Sequence, residues 1–297
     1  MRLFTFLSAV AIPLSCAALS VGFGCAAGNP STFDDADAAP PEPEGGRRST
    51  TTFAEAGTYK PHDPRAECAQ DTKQIYVVAT DKTLYRFYPD MLKFVRIGAV
   101  KCPTTAGTFS MAIDKYGIAW IEYTDGRLYA VDTADGTCQA TPFAPGQNGF
   151  TNFGMGYAKN GDNASGETLY VAGAGLAALD TNTFQLNFLG SLSFGRTELT
   201  GLDTQLFAYS VTSGVIVSLD KSTGATKSVM RTSAIDEMAA FAFAQWGGAF
   251  WVFTGNDQTT VTKYDPATDV STEVMKNTGL LVDGAGSSTC APTTAPR

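Results

Sequence analysis

Five carboxylates are the residues of this sequence best suited to chemistry. They are Asp114, Glu198, Asp236, Glu237 and Asp283, and each lies near the start or the end of a recurring run of small residues. Two such acids can work as general acid and general base when burial raises the pKa of one while the other stays ionised. We treat these five as candidate site residues, with solvated loop residues as the alternative interpretation.

Other kinds of catalytic site are not supported by the composition. The one histidine, His62, lies in an acidic, Pro- and Ala-rich stretch ahead of the repeated region. Without histidine, that region cannot build Ser-His-Asp or Cys-His nucleophiles, and its cysteines lack the C-x-x-C spacing of zinc sites. The run GAGLAALD follows no βαβ unit, as a dinucleotide loop requires, and there is no phosphate loop. We expect no metal and no cofactor.

A repeat of about 44 residues must position the candidate acids. One apolar run with an aromatic centre recurs as QIYVVAT, IAWIEYT, TLYVAGA, QLFAYSV and AFWVFTG. The matching positions are Tyr76, Trp120, Tyr170, Phe207 and Trp251. Short runs rich in aromatic and β-branched residues, bounded by Gly, Asp, Asn and Thr, are typical of strands and hairpins.

Two further features recur on the same period. The run that follows the aromatic-centred run ends in a polar turn, and its matching positions are Tyr88, Asp132, Asp180, Asp220 and Asp265. The Asp found at four of these five positions favours a tight turn rather than catalysis. A preceding run has small residues at Ala112, Gly156, Gly201 and Ala242, and one more step reaches Gly284 at the end of the chain. Small residues in this position suit the crowded axis of a β-propeller.

We therefore predict an all-β fold, a five-bladed β-propeller of four-stranded antiparallel blades over residues 67–293, followed by a short tail, 294–297. The C-terminal run LLVDGAGSST supplies the inner strand that the first repeat lacks, so that the two ends of the chain close the ring. A six-bladed ring is the alternative, because the step from Trp120 to Tyr170 is long. The insertion KNGDNASGE explains that step as a loop.

Four cysteines follow the N-terminal region, and an even number in an exported protein indicates disulfides. In the predicted ring, Cys68 and Cys290 are neighbours where the chain ends meet. Cys102 and Cys138 flank the outermost strands of the first two blades. We predict the pairs Cys68–Cys290 and Cys102–Cys138.

The N-terminal region has the pattern of an export signal. Residues 1–24 carry one early positive charge and then an uncharged apolar run, which predicts a lipoprotein signal peptide with Cys25 as the lipidated residue. Gly22 departs from the leucine usual three positions before that cysteine, and Cys16 is a poorer alternative. Residues 25–66 have the composition of a disordered linker. Ordinary signal cleavage, giving a soluble periplasmic or secreted product, is the alternative.

Charge and aromatic residues narrow the expected partners. The formal net charge of −8 argues against nucleic acid and against an anionic membrane surface, so membrane contact is expected through the lipid alone. Phe150, Phe153, Tyr157 and Trp251 could stack on sugars, but their strand spacing favours the core. Trp246, in the turn-like run AQWGG, is the aromatic candidate for a surface contact.

The runs SMAID, FGMGYA, ELTGLD, AFAQWGGAFWVFT and GAGSSTCAP resemble a group of uncharacterised Gram-negative bacterial lipoproteins with predicted propeller domains. The resemblance spans about residues 67–292 and implies the fold, lipidation and an outer-membrane anchor, without a substrate. We therefore expect a binding or scaffold module for a protein or glycan partner. The alternative is a carbohydrate-active enzyme with carboxylates at the channel mouth, as in some five-bladed glycosidases, which is an analogy of fold alone.

Overall fold

The computed structural model of the protein describes residues 67–162, 166–233 and 240–296. The expected signal peptide, Cys25, the linker up to residue 66, Asp236 and Glu237 lie outside the described residues. Within them, the chain forms strands and two short 3-10 helices, Gln70–Lys73 and Gln147–Gly149. In chain order the strands are β1 (Ile75–Ala79), β2 (Thr83–Tyr88), β3 (Lys93–Ala99), β4 (Thr108–Ile113), β5 (Ile118–Tyr123), β6 (Leu128–Asp132), β7 (Cys138–Ala140), β8 (Gly154–Lys159), β9 (Glu167–Ala172), β10 (Leu176–Asp180), β11 (Gln185–Gly190), β12 (Thr197–Leu202), β13 (Gln205–Ser210), β14 (Val215–Leu219), β15 (Thr226–Arg231), β16 (Ala240–Trp246), β17 (Ala249–Gly255), β18 (Thr260–Asp265), β19 (Val270–Met275) and β20 (Val282–Ser287).

The strands pair into five antiparallel sheets of four, which are the blades of a five-bladed β-propeller. Blade 1 has the order β20-β1-β2-β3, and blades 2 to 5 follow in sequence as β4 to β7, β8 to β11, β12 to β15 and β16 to β19. Their inner strands are β20, β4, β8, β12 and β16. The predicted fold is confirmed, and no sixth sheet occurs among the described residues.

The ring is closed by pairing the two ends of the propeller. Strand β20 lies antiparallel to β1, with Ile75 opposite Ser287 and Val77 opposite Ala285. The Cys68–Cys290 disulfide ties this seam, its Cα atoms 6.0 Å apart across 222 residues of sequence. Closure removes the edge that an unpaired β1 would expose.

The second disulfide joins neighbouring blades at the rim. Cys102 follows the outer strand of blade 1, Cys138 begins the outer strand of blade 2, and their Cα atoms are 5.0 Å apart. Both predicted pairs are thus confirmed.

The repeat has the structural meaning expected from its spacing. Each recurring aromatic lies in the second strand of a blade, and all five are less than 9% exposed. In four blades the turn after the third strand is held by a carboxylate that accepts a backbone N–H two residues ahead. The pairs are Asp132 with Ala134, Asp180 with Asn182, Asp220 with Ser222 and Asp265 with Ala267. These acids form turns, as predicted.

Aromatic side chains fill the spaces between blades. Between blades 1 and 5, Phe87 packs edge-on against Trp251 and Phe253, at ring distances of 5.6 and 5.5 Å. Phe150 and Phe153, considered above as sugar-stacking candidates, are buried in the cluster between blades 2 and 3. Their core role is therefore confirmed.

The propeller has two distinct faces. The inner strands run side by side in one direction, so connections alternate between the two ends of the ring. We call the end where inner strands begin the front face; it carries connections between blades such as 100–107 and 141–153. We call the opposite end the tail face; it carries segments 67–74 and 288–296.

Inner strands approach closely enough to exclude side chains between them. A Cβ on Gly156 of β8 would lie 2.6 Å from the carbonyl carbon and oxygen of Leu199 in β12. On the other side of the axis, a Cβ on Gly284 would lie 2.9 Å from the backbone nitrogen of Met111. The small residues of the repeat are thus required by strand spacing at the axis.

Replacing Gly156 by alanine is expected to destabilise the propeller by about 3 kcal/mol, because β8 and β12 must move apart to admit the methyl group. Denaturant unfolding of the oxidised protein measures this. Gly107→Ala is the matched control, since the nearest atom to its Cβ would be Thr124 Cγ2 at 3.8 Å. Equal stability of the two variants would contradict the close approach of these inner strands.

Candidate functional site

The candidate site is the axial channel, where each inner strand exposes one unpaired backbone edge. Buried N–H and C=O groups require partners, so side chains near the axis must supply them. Glu198 of β12 in blade 4 is such a partner, and it links blades 2, 3 and 4. Its Oε2 accepts Ser110 Oγ of β4 at 2.9 Å and the backbone N–H of Met155 in β8 at 3.3 Å. Burial raises the pKa of Glu198 well above its ordinary range, against the effect of these two hydrogen bonds.

Nearer the tail face, two hydroxyl groups bridge the channel. Thr200 Oγ1 of blade 4 and Ser287 Oγ of blade 1 lie 3.5 Å apart. The backbone N–H of Gln245, in blade 5 between them, lies 3.2 Å from the first oxygen and 3.3 Å from the second. All three residues are buried. Polar side chains therefore cross the axis at two levels and close the channel.

A second buried acid, Glu122 of β5, lies beside Glu198 toward the front face. Its Oε2 accepts the backbone N–H of Phe153 at 3.0 Å, and its Oε1 has no hydrogen-bond partner among the described residues. The side chain is fully buried. Burial, with a smaller contribution from the charge of Glu198, raises the pKa of Glu122 to about 9.

Asp283 is the channel acid closest to solvent. It is the second residue of β20, at the front end of that strand, is partly exposed, and accepts a hydrogen bond from Thr108 Oγ1 at 2.8 Å. Burial raises the pKa of Asp283 to about 6. Glu198 and Asp283 thus share the front half of the channel, and their candidate roles as site residues stay predictions.

Asp114 has a different environment from the one expected of a channel-mouth acid. It is buried in the β4–β5 hairpin and accepts the N–H groups of Tyr116 and Ile118, each at 2.9 Å, and Trp120 Nε1 at 3.1 Å. Burial and then the charge of Glu167 raise the pKa of Asp114 to about 7. Because its carboxyl group accepts hydrogen bonds from three donors of the same hairpin, Asp114 stabilises that hairpin, which lies on the tail face.

Trp246 is not a surface residue, which corrects the expectation drawn from its turn-like context. It ends β16, is 6% exposed, and packs in the core between blades 5 and 1. Its Nε1 donates to the backbone oxygen of Lys73 at 2.9 Å. The tight turn begins one residue later, at Gly247, so the tryptophan side chain points into the seam.

The C-terminal segment 288–296 lies over the tail-face mouth of the channel. Thr289 Oγ1 donates to Glu167 of blade 3, while the oxygen of Pro292 accepts the N–H of Gly247 in blade 5 at 2.8 Å. Ser288 Oγ donates to the oxygen of Thr72 at 2.7 Å, beside the Cys68–Cys290 disulfide. Contacts to blades 1, 3 and 5 place this segment across the axis.

The front face, in contrast, has an open depression of about 680 Å³. Its lining comes from the connection between blades 1 and 2, the β5–β6 hairpin and the connection between blades 2 and 3. The lining residues are Pro103, Thr104, Thr105, Asp125, Arg127 and Pro145. Thr104 Oγ1 donates to Asp125 at 3.0 Å, which leaves Arg127 as the exposed cation of this depression.

Glu122 is the site residue that the repeat pattern did not indicate. A signal was present, because Glu122 is the single charged residue in the five aromatic-centred runs. A charge inside an otherwise apolar buried strand predicts either a paired group or a neutralised one. Asp236 and Glu237 lie outside the described residues, and their candidate roles stay predictions.

Comparisons with known proteins do not identify a family for this chain. No protein-family model and no curated protein matches the chain. Among solved structures, a chain in a nidogen/laminin complex is similar at 11% identity and a TM-score of 0.46, over 72% of this chain and 85% of that one. A protein of unknown function from Bacteroides thetaiotaomicron VPI-5482 is similar at 13% identity and a TM-score of 0.44, over 69% and 58%. The fold itself rests on the observed strand pairing.

Two searches of the described residues complete the description of the site. No group of three or more His, Cys, Asp or Glu side chains in residues 67–162, 166–233 and 240–296 is arranged to hold a metal ion. Over the same residues, no helix is long and apolar enough to cross a membrane.

Proposed function

We propose that this chain is a cell-envelope lipoprotein, lipidated at Cys25 and anchored in the outer membrane, whose propeller binds a protein or glycan partner through its front face. The linker of residues 25–66 connects the anchor to the propeller. The two disulfides support export, because such bonds persist in oxidising compartments outside the cytosol.

The observation that carries this proposal is that both ends of the propeller leave from the tail face. Residues 67–74 and 288–296 are joined there by the Cys68–Cys290 disulfide, and the C-terminal segment covers the mouth of the channel. An anchor attached through residue 67 therefore attaches to the tail face. The front face then carries no tether, and its loops are free to meet a partner.

The closed channel supports binding at a surface over catalysis within the ring. Glu198 and Glu122 are both buried, and Glu198 already holds a hydroxyl and a backbone N–H. A retaining or inverting glycosidase needs two carboxyl groups that both reach the substrate. Asp283 is the only one of these three acids with substantial exposure, so the enzyme alternative has no further observation in its favour.

Lipidation is tested by changing the two N-terminal cysteines separately. Cys25→Ser is expected to move the protein from the membrane pellet to the soluble fraction and to abolish incorporation of a clickable fatty acid. Cys16→Ser, the matched control, should leave both unchanged. Membrane-associated, labelled Cys25→Ser protein would contradict the proposed anchor.

The use of the front face is tested by photo-crosslinking in intact cells. A photoreactive residue replaces either Ala144, exposed in a front-face connection, or Ala267, exposed in a tail-face hairpin. Partner adducts are expected from position 144 and not from position 267, and glycan-array binding should weaken with Arg127→Ala. Adducts from position 267 alone, or polysaccharide hydrolysis lost in Glu198→Gln, would overturn the proposal.

A further inference from the structure

Phe188 of β11 is an aromatic side chain that the propeller leaves open to solvent. Among the described residues, the large apolar side chains that are half exposed or more are Met91, Phe188, Val229 and Val270. Phe188 is the one aromatic residue of this group and is 53% exposed. Single exposed apolar side chains are common on protein surfaces, so the surroundings of the ring decide whether it has a role.

The ring of Phe188 lies on the front side of blade 3. Phe188 is opposite Ala177 in the β10–β11 ladder, and Ala177 and Leu186 both lie in the core cluster between blades 2 and 3. The ring packs on the front-face turn between β9 and β10, because a Cβ on Gly175 would lie 2.6 Å from Phe188 Cε2. The turn therefore supports the ring from one side, while about half of the side chain faces solvent.

The connection between blades 2 and 3 borders this ring without covering it. Asn148 Nδ2 donates to the oxygen of Leu186 at 2.9 Å, so this amide lies two residues before Phe188 along the outer edge of β11. Gly149 follows, and its Cβ would lie 3.8 Å from Ala174 Cβ in the β9–β10 turn. Asn148, Gly149 and Ala174 are all exposed. Small residues beside the ring leave room for a flat ligand.

Asn148 also offers a free acceptor to such a ligand. Its Nδ2 is used by Leu186, but within the described residues its Oδ1 accepts no hydrogen bond. The neighbouring Gln147 is fully used, since its Oε1 accepts the N–H of Leu186 at 3.2 Å and its Nε2 donates to the oxygen of Phe184 at 2.9 Å. The bond to Leu186 therefore holds one amide oxygen in place near the phenyl ring.

The segments around Phe188 carry no charge. Segments 141–158, 168–179 and 181–195 contain no Asp, Glu, Lys or Arg. The charged residues that separate these segments are Lys159, Asp162, Glu167 and Asp180. The first three lie in or beside the β8–β9 hairpin at the tail face, and Asp180 is held in the turn after β10 by the N–H of Asn182. The front side of blade 3 is therefore aromatic and polar but neutral.

This combination suits a sugar better than a protein. One face of a pyranose ring is made of C–H groups and can cover a phenyl ring, while its hydroxyl groups can donate to an amide oxygen. Protein partners are steered and oriented by complementary charges, and the segments around Phe188 offer none. For the same reason, an acidic sugar would find no cation in these segments.

We propose that the front side of blade 3 binds a neutral glycan, with the apolar face of one pyranose stacked on Phe188 and a sugar hydroxyl donating to Asn148 Oδ1. The site depends on the proposed use of the front face, and it narrows the ligand of blade 3 to one chemical class. It is separate from the depression lined by Arg127, which carries an exposed cation.

Saturation-transfer difference NMR with the oxidised full-length Cys25→Ser protein tests the site. The probes are cellohexaose, a neutral oligosaccharide with equatorial ring substituents, and the same chain with its primary alcohols oxidised to carboxylates. Transfer to the ring protons of cellohexaose is expected, and the carboxylate form should bind more weakly. Phe188→Leu should reduce the affinity for cellohexaose at least about fivefold, because leucine is apolar but lacks the flat ring. Phe188→Tyr keeps the ring and should keep the affinity.

Val229→Ala is the matched control, because Val229 is also exposed and apolar but lies on β15 of blade 4. It should leave the affinity unchanged, and all three variants should melt close to the parent protein because both positions are exposed. No transfer to cellohexaose, equal affinity in Phe188→Leu, or tighter binding of the carboxylate form would each overturn the proposal. A dimer of the parent protein that dissociates in Phe188→Leu would also overturn it, because the ring would then join two copies of the chain.

Crosslinking from position 144 in intact cells is read separately from these titrations. Partner adducts there, combined with no binding of cellohexaose, would remove the glycan site and leave the front-face function standing. Binding of cellohexaose that depends on Phe188, combined with adducts from position 267 alone, would overturn the front-face function and leave the glycan site standing.

Discussion

A chain truncated after Leu281 is expected to lose the cooperatively folded propeller. The truncation removes β20, so β1 loses its ladder partner from Ile75 to Ala79, and β4 and β16 lose the inner strand between them. It also removes Cys290 and with it the seam disulfide. The five residues of β1 are buried and apolar, and an exposed edge of that composition favours aggregation. Circular dichroism melting and size-exclusion chromatography measure the outcome.

A shorter deletion separates closure from a general effect of shortening the chain. Removing residues 294–297 leaves β20, Cys290 and the bond from Gly247 to Pro292 in place. This variant should melt within a few degrees of the full-length protein. A cooperative transition of unchanged midpoint in the chain ending at Leu281 would show that β20 is not the closing strand.

Changing Glu122 to glutamine is expected to stabilise the protein, and the gain should grow with pH. The pKa of Glu122 is about 9 in the folded protein, and an exposed glutamate has a value of about 4.3. Between these values the folded chain holds a proton that the unfolded chain has lost, so stability falls as pH rises through that window. Glutamine is neutral throughout and removes this loss, a gain of up to about 5 kcal/mol at pH 8.

Denaturant unfolding at pH 4 and pH 8 measures the effect. At pH 4 Glu122 is largely protonated in both the folded and the unfolded chain, so the variant and the parent protein should have similar stabilities. Glu273→Gln is the control, because Glu273 is exposed on β19 and its ion pair with Lys276 is at the surface. A Glu122→Gln variant whose stability relative to the parent does not change between pH 4 and pH 8 would contradict the neutral, buried state of this acid.

The architecture could be predicted because the same local sequence pattern recurs in every blade. The aromatic centres from Tyr76 to Trp251 mark one strand in every blade, and a strand pattern repeated five times constrains the topology more than any single run does. The half-repeat at each end then required closure by β20. Closure brought Cys68 beside Cys290, so the disulfide pairing followed from the ring.

The roles of individual polar residues could be predicted less well, because they depend on neighbours that are distant in sequence. Asp114 and Glu198 both lie in or next to inner strands. Asp114 accepts hydrogen bonds from donors within six residues of it along the chain. Glu198 accepts them from Ser110 and Met155, which lie on two other blades. Spacing alone does not distinguish these environments. Trp246 was misplaced because the glycines after it resemble a turn that begins earlier than the observed one.

The axis is closed, and segments 67–74 and 288–296 both lie on the tail face, so the two faces of the propeller differ. Segment 288–296 covers the tail-face mouth of the channel. The polar side chains of Glu198, Thr200 and Ser287 cross the channel itself. Under the proposed function, recognition is expected at the front-face connections, and these keep their geometry only while the ring is closed.

Ring closure is tested most directly by mapping the disulfides of the native protein. Trypsin cleavage at Lys73, Lys101, Lys115, Arg127 and Lys276, among other sites, places the four cysteines of the propeller in four separate peptides. Non-reducing digestion and mass spectrometry should then find the Cys68 peptide joined to the Cys290 peptide, and the Cys102 peptide joined to the Cys138 peptide. A Cys290 peptide joined to that of Cys102 or Cys138 would show that the two ends of the propeller do not meet.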